Sequence, residues 1–166
     1  MSCSLRPVGH SHRARLEQLT RGTGLFRTEE VATAVELLDE SLAGDDDYQF
    51  VGAFDADQLI GYACWGATPG TLATSDLYWI VVDRERQGSG IGSQLLREVE
   101  RLLTADGRRL VVVETSSRGD YQATRAFYET RGYTRTATIP GYYAPGDDLV
   151  IYTKDLTTGD LARAAP

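Results

Sequence analysis

A run of alternating glycines in the middle of the chain is the segment best suited to bind a ligand. Residues 86–93 read RQGSGIGS, with glycine at positions 88, 90 and 92. Glycine adopts backbone conformations that other residues avoid, so several amide N–H groups can converge on one point at the positive end of a following helix. A short glycine motif on its own is more typical of a turn. Here an apolar strand before it and an amphipathic helix after it favour a phosphate or diphosphate site.

Chemistry based on histidine or cysteine is disfavoured by the composition. The two histidines, His10 and His12, lie together near the N-terminus, and the two cysteines, Cys3 and Cys64, lie far apart in the chain. These positions do not have the pattern of a Ser-His-Asp site, a zinc site or a disulfide framework. Cys64 lies in the apolar run IGYACWG and is predicted to be a core residue. Catalysis would therefore depend on carboxylates, tyrosines, hydroxyls or backbone groups.

Composition and charge are those of a globular domain with its own core. The chain has 166 residues, of which 42% are hydrophobic and 25% charged. Its net charge of -7 disfavours nucleic acid and anionic membranes as partners. No stretch approaches the ~18 apolar residues of a spanning helix, and the N-terminal sequence lacks an export signal. We predict a cytoplasmic protein with one domain over 1–156 and a C-terminal tail over 157–166 whose composition is compatible with disorder.

Hydrophobic periodicity predicts the elements that position the glycine loop. Two strands separated by the short turn DADQ form a hairpin, and a helix between two apolar strands makes those strands a parallel pair. The result is an α+β fold: a mixed, mostly antiparallel central sheet with one parallel strand-helix-strand crossover and helices on both faces. Helices are predicted over 11–20, 28–43, 123–130 and between Ser89 and Gly107, and strands over 48–54, 59–65, 77–82, 110–113, 134–139 and 149–154.

Two of these segments carry further expectations. The strand LYWIVV over 77–82 is apolar enough to be covered on both faces. The connection between the last two strands, residues 140–148, contains glycine and proline and is predicted to be a loop.

The glycine loop does not fit two common phosphate-binding motifs. A Walker loop needs Gly-Lys-Ser/Thr after its last glycine, whereas this chain has Ser93 and Gln94 there. A dinucleotide fingerprint needs glycine at position 93 and a place after the first strand of a doubly wound sheet. Both alternatives are therefore excluded.

The glycine loop resembles a different family. The segment VDRERQGSGIG over 82–92, followed by SQLL, is similar to the acyl-CoA pyrophosphate loop Q/R-x-x-G-x-G/A of the GNAT N-acetyltransferase superfamily. Gln87, Gly90 and Gly92 fill its defining positions. The resemblance implies an acyl-CoA N-acyltransferase-like fold.

A second segment extends this resemblance to residues 77–133. ATRAFYETRGY over 123–133 is similar to the superfamily's later helix, with its Phe-Tyr pair and its Gly-aromatic exit. One departure is Tyr121, where the family often has asparagine. The contact that the family's asparagine side chain makes to the cofactor is therefore not inferred for this chain.

The resemblance implies acetyl-CoA as the co-substrate. Its pantetheine arm would pair with the strand edge at 80–82, because an arm that carries amides can substitute for a strand. Its diphosphate would lie on the amides of residues 87–93, and Arg84, Arg86 and Arg125 are candidates for phosphate contacts. The residues implied to bind the cofactor are Ile80, Val81, Val82, Gln87, Gly88, Ser89, Gly90, Ile91, Gly92, Ser93 and Phe127.

Acetyl transfer to an amine needs a base for the ammonium group and a donor for the departing thiolate. A lysine-like amine has a pKa near ~10.4 and arrives protonated, whereas a thiol has a pKa of about 8.5. The resemblance implies Tyr128 as the donor and Glu114, directly after LVVV, as the base. Asp76 and Tyr78 are rivals for the base. A backbone N–H near Val82 would stabilise the oxyanion.

Each of these two roles has a structural alternative. Without the resemblance, Tyr128 is better explained as a core aromatic that packs beside Phe127. Glu114 is equally well explained as an acceptor for backbone N–H groups.

The acceptor is the least defined part of the prediction. The late segment YYAPGDD over 142–148 combines aromatic and acidic side chains that could cover a cleft and attract a cation. With the net negative charge, it favours a cationic small-molecule or peptide amine. The predicted substrate-binding residues are Asp76, Tyr78, Tyr142 and Tyr143.

Three functions stay open: an N-acetyltransferase for primary amines, a non-catalytic acyl-CoA sensor, and a transferase of another acyl group such as succinyl or propionyl. We expect no metal, nucleic acid or membrane partner. The exposed edge of the last strands allows a homodimer.

Overall fold

The computed structural model describes residues 3–157, which form seven strands and four α-helices. The strands are β1 (Ser4–Arg6), β2 (Gln49–Asp55), β3 (Gln58–Ala67), β4 (Thr74–Val82), β5 (Leu110–Ser116), β6 (Thr134–Ala144) and β7 (Asp147–Asp155). The helices are α1 (Arg13–Gly22), α2 (Thr28–Leu42), α3 (Ile91–Ala105) and α4 (Gln122–Glu129).

The strands form one mixed sheet in the order β1-β2-β3-β4-β5-β7-β6. β4 and β5 run parallel, and α3 connects them along the chain. The pairs β1–β2, β2–β3, β5–β7 and β6–β7 are antiparallel. The predicted fold class, a mostly antiparallel sheet with one parallel crossover, is confirmed, and so is the hairpin of β2 and β3.

The prediction of a long loop between the last two strands is wrong. β6 continues to Ala144 and β7 begins at Asp147, so the turn consists of Pro145 and Gly146. Proline and glycine usually interrupt a strand, but β6 is the last strand in the sheet order, and an edge strand tolerates Pro140 because one of its sides needs no hydrogen bonds. Tyr142 and Tyr143 therefore belong to a strand. Strand β1 was not predicted, since three residues show no periodicity.

The chain divides into two compact units. Among the described residues, the first contains 3–67 together with Tyr78–Leu102. The second contains Thr68–Leu77 together with 103–157. β4 and α3 contribute residues to both units. The prediction of one domain over 1–156 stays a prediction, and residues 158–166 of the predicted tail lie outside the described residues.

In the first unit, helices cover both faces of the strands. Thr20 Oγ1 of α1 lies 2.6 Å from the hydroxyl of Tyr62 on β3. The preceding residue, Gly61, faces α3, because a Cβ at this position would lie 3.3 Å from the side chain of Leu95. Successive residues of a strand point to opposite faces, so α1 and α3 lie on opposite sides. Cys64 is buried in this unit, as predicted.

In the second unit, α4 packs on one face of the sheet. The ring of Tyr128 on α4 has its centroid 5.3 Å from that of Tyr133 and 6.4 Å from that of Tyr152 on β7. Tyr152 pairs with Val113 of β5, so both side chains point toward α4. Glu114, the next residue of β5, therefore points to the opposite face.

Two kinds of feature are absent from the described residues. None of the helices between residues 3 and 157 is long and apolar enough to cross a membrane. No group of three or more His, Cys, Asp or Glu side chains in that part of the chain is placed to hold a metal ion.

Candidate active site

The glycine loop has the backbone conformation that its glycines permit. After β4, Asp83 leads into a 3-10 turn over Arg84–Arg86, and α3 begins at Ile91. Gly88 and Gly90 have φ angles of +78° and +87°, in the left-handed region that side chains disfavour. Nothing lies within 4 Å of a Cβ built at either position, so conformation rather than space requires glycine here. α3 begins directly after this loop, so the positive end of its dipole lies next to the predicted anion site.

Two of the three arginines considered for phosphate contacts have protein partners. Arg86 Nη2 lies 2.9 Å from Asp55 Oδ2 within the first unit. Arg125 Nη1, in the second unit, donates to the backbone carbonyl oxygens of Ser116 and Arg118 at 2.6 and 2.9 Å. Arg125 therefore binds the end of β5 and the segment that follows it.

The first-unit part of β4 has one buried face and one accessible face, so the prediction of burial on both faces is wrong. Val81 is 1% exposed, whereas Ile80 and Val82 are half-buried and Tyr78 is 39% exposed. The Tyr78 ring contacts Tyr48, with 5.7 Å between the centroids. Residues 78–82 are all aromatic or aliphatic, but alternation leaves the side chains of even-numbered residues accessible.

Two predicted carboxylates lie close together in the second unit. Asp76 of β4 pairs with Val112 of β5, so Asp76 and Glu114 point to the same face of the sheet. The Glu114 side chain is exposed, yet nearby protein atoms partly desolvate its carboxyl group. This desolvation, and then the negative charge of Asp76, raise the pKa of Glu114. Thr68 Oγ1 donates to Asp76 Oδ2 at 2.7 Å. A glutamate with a raised pKa is better suited to accept a proton from an amine.

Tyr142 and Tyr143 are half-exposed aromatic residues on β6, with ring centroids 5.0 Å apart. Burial, followed by the charge of Glu114, raises the pKa of Tyr143 to about 12, and Tyr142 and Tyr121 act in the same direction. The second unit thus brings Tyr143 near Glu114, and Tyr121 near Tyr143. The sequence singled out Tyr121 only as a departure from the family pattern. Its position directly before α4 was the signal that it could lie near the predicted site residues.

The acidic residues after the turn do not fit the predicted attraction of a cation. Asp147 is buried and accepts a hydrogen bond from Ser116 Oγ. Asp148 Oδ1 accepts one from the backbone N–H of Gly141 at 2.8 Å. Both carboxylates instead hold the β6–β7 hairpin and connect it to β5.

Tyr128 packs in the core beside Phe127, as the structural alternative for this residue predicted. It is 5% exposed and its ring also contacts Phe127, with 5.2 Å between centroids. Burial raises the pKa of the Tyr128 hydroxyl, so the group stays protonated at neutral pH and can donate a hydrogen bond. The guanidinium carbon of Arg131 lies 3.9 Å from the centre of the Phe127 ring. The roles of Tyr128 as donor and of Phe127 as a cofactor contact stay predictions.

Comparison with known proteins identifies the family of this fold. Residues 46–135, more than half of the chain, match the acetyltransferase (GNAT) domain. The chain belongs to the GNAT acetyltransferase family. A structure from Desulfovibrio desulfuricans that is assigned to this family is 39% identical, with a TM-score of 0.88 over 93% of this chain and 99% of that chain.

More distant N-acetyltransferases are similar to this chain in fold or in sequence. The PaiA N-acetyltransferase of Thermoplasma acidophilum, solved with coenzyme A, is 19% identical, with a TM-score of 0.72 over 93% of this chain and 99% of that chain. The S-(2-succino)cysteine N-acetyltransferase of Bacillus subtilis is 28% identical over 72 residues, which cover 43% of this chain and 44% of that protein. The alignment thus spans less than half of this curated relative.

These matches confirm the resemblance drawn from the two sequence motifs. At the level of the family, they also confirm the predicted class of enzyme, an acetyltransferase that uses acetyl-CoA. The residues assigned to the GNAT site stay predictions.

Gly90→Val should weaken acetyl-CoA binding to the GNAT loop at least roughly tenfold, because a left-handed φ costs a valine on the order of 1–3 kcal/mol and the loop would relax away from this conformation. Nothing lies within 4 Å of a Cβ at position 90, so the chain should stay folded. Titration calorimetry measures the affinity. Gly107→Val is the matched control, since Gly107 also has a positive φ of +72° and open space but lies beyond the other end of α3. Equal affinity in the two variants would contradict the assignment of the loop.

Proposed function

We propose that the protein is an acetyl-CoA-dependent N-acetyltransferase that acetylates a primary amine by direct attack on the thioester. The observation that carries the proposal is the glycine loop, in which Gly88 and Gly90 have positive φ angles immediately before α3. A backbone of this kind at the start of a helix can turn several N–H groups toward one anion, which supports binding of a diphosphate, the charged group of the acyl donor.

The proposed chemistry divides the two proton transfers between two side chains. Glu114, with its raised pKa, accepts a proton from the ammonium group through ordered water, after which the free amine attacks the carbonyl carbon. Tyr128 donates a hydrogen bond to the sulfur as the carbon–sulfur bond breaks. Glu114 and α4 lie on opposite faces of β5, which suits an amine that arrives on one side and a thiolate that leaves on the other. A backbone N–H near Val82 stabilises the oxyanion.

The proposed acceptor is a cationic small molecule or a peptide amine. Asp76 and Glu114 place two carboxylates on one face, and the half-exposed rings of Tyr142 and Tyr143 offer aromatic contacts to a cation. The Bacillus relative acts, by its name, on a modified cysteine, so amino acids also belong among the acceptors to be tested.

The deciding experiment is an amine panel scored by release of free CoA thiol. Polyamines, amino acids, aminoglycosides, peptide N-termini and peptide lysines are each supplied with acetyl-CoA. We expect thiol release with at least one amine. Binding of acetyl-CoA without release from any amine would favour the acyl-CoA sensor, and faster release from succinyl-CoA or propionyl-CoA would favour the transferase of another acyl group.

We also propose that two copies pair through β6 in the cytoplasm. All eleven residues of β6 are exposed, and Ile139, Tyr142 and Tyr143 are three of the large apolar side chains that the surface exposes. An exposed, largely uncharged edge strand is a template for pairing. The free thiols of Cys3 and Cys64 are compatible with a reducing compartment.

Sedimentation of the wild-type chain is expected to show a dimer. Ala137→Lys places a charge in the middle of β6 and should yield a monomer, since a lysine on an edge strand opposes pairing with a second strand. Thr33→Lys on the exposed side of α2 is the control and should leave the dimer intact. A monomeric wild-type chain would refute this pairing.

A further inference from the structure

An ion pair connects α1 to the start of the glycine loop. Nη2 of Arg15 on α1 contacts Oδ2 of Asp83, 68 positions later in the chain. Arg15 Nε donates to the carbonyl oxygen of Leu59 at 3.1 Å, and Nη1 donates to Gln18 Oε1 at 2.7 Å. All three guanidinium nitrogens are therefore engaged, which holds the charge of Arg15 in one place.

Asp83 is itself fixed at the junction between β4 and the loop. Its Oδ1 accepts a hydrogen bond from the N–H of Glu85 at 3.2 Å and so caps the 3-10 turn. Its own N–H donates to the carbonyl oxygen of Ile60 at 2.9 Å, and its carbonyl accepts from the N–H of Arg86 at 2.8 Å. The Asp83 carboxylate therefore cannot turn away from the loop without breaking these contacts.

The charge of Asp83 is unfavourable for the proposed ligand. The loop that follows Asp83 is the one proposed to hold a diphosphate, and a carboxylate at its start repels an anion. The side chains of Arg15 and Asp83 are only 24% and 20% exposed, so solvent screens them less than surface charges. Arg15 cancels this negative charge where it lies.

We infer that Arg15 is a positioning residue for the acyl-CoA, which acts by neutralising Asp83 rather than by contacting the ligand. The inference rests on the proposed function, because it assumes that the loop binds the diphosphate. It assigns a role to a residue of α1, which neither sequence motif includes.

Arg15→Met tests the inference by leaving the Asp83 charge uncompensated. The affinity for CoA, measured by titration calorimetry, should fall roughly five- to tenfold at low salt and less at high salt. In turnover assays the KM for acetyl-CoA should rise while kcat stays unchanged. Arg13→Met is the matched control, because Arg13 lies on the same helix and its exposed ion pair with Asp39 involves no loop residue.

The double variant Arg15→Met/Asp83→Asn separates charge from loop structure. If neutralisation is the role of Arg15, removing both charges restores most of the affinity, and Arg15→Lys retains part of it. A double variant as weak as Arg15→Met, or a single variant equal to Arg13→Met, would overturn the inference. Wild-type protein that binds no CoA would instead overturn the proposed function, so the two failures are distinguishable.

Discussion

Changing Tyr128 to phenylalanine is expected to lower kcat for acetyl transfer roughly 100-fold and to leave the KM for acetyl-CoA almost unchanged. The substitution removes only a hydroxyl group, so the ring contacts with Phe127, Tyr133 and Tyr152 persist. Burial raises the pKa of Tyr128, so this hydroxyl is protonated at neutral pH and can donate a hydrogen bond. Its proposed role is to stabilise the thiolate as the carbon–sulfur bond breaks. Because that charge develops only in the transition state, its loss affects kcat rather than binding.

Tyr133→Phe is the matched control for this prediction. Tyr133 is also buried, its ring contacts that of Tyr128, and no catalytic role is proposed for it. This variant should retain the kcat of the wild-type protein, with CoA binding intact in both variants. If Tyr128→Phe turns over as fast as Tyr133→Phe across the whole pH range, Tyr128 is a packing residue only.

Glu114→Gln is expected to lower kcat/KM for the amine roughly 100-fold near neutral pH, because glutamine cannot accept the proton of the ammonium group. The glutamine has nearly the same size, and the strand pairing of Glu114 with Ile151 uses backbone atoms, so the fold should be retained. Initial rates of thiol release at saturating acetyl-CoA measure the effect. An unchanged rate would leave Glu114 with a structural role.

The pH profile gives a second test of the same residue. A base works when deprotonated, so activity should fall as the pH drops through the pKa of Glu114. Partial burial and the charge of Asp76 raise this pKa. The loss of activity on the acid side should therefore occur at a higher pH than it would for an ordinary glutamate. Asp76→Asn removes one of the two causes and should move the acid limb to lower pH. If Asp76→Asn instead abolishes turnover and Glu114→Gln does not, Asp76 is the base.

The sequence by itself determined the features that depend on local chemistry. Glycine at 88 and 90 is required by the backbone conformation of the loop itself, so the motif predicted an anion site before any contact was known. Hydrophobic periodicity is equally local, and it predicted the hairpin, the crossover through α3 and the class of fold. The family followed because both motifs are continuous segments of chain.

Only the tertiary structure decided how distant residues meet. Proline usually interrupts a strand, yet Pro140 lies in β6 because β6 is an edge strand of the sheet and one of its sides needs no hydrogen bonds. Tyr121 lies near Tyr143 because the β6–β7 hairpin pairs with β5, the strand that precedes Tyr121, and Arg15 meets Asp83 because α1 packs beside β3. Such contacts depend on strand register and helix packing across many residues, and no pattern within one segment of the chain encodes them.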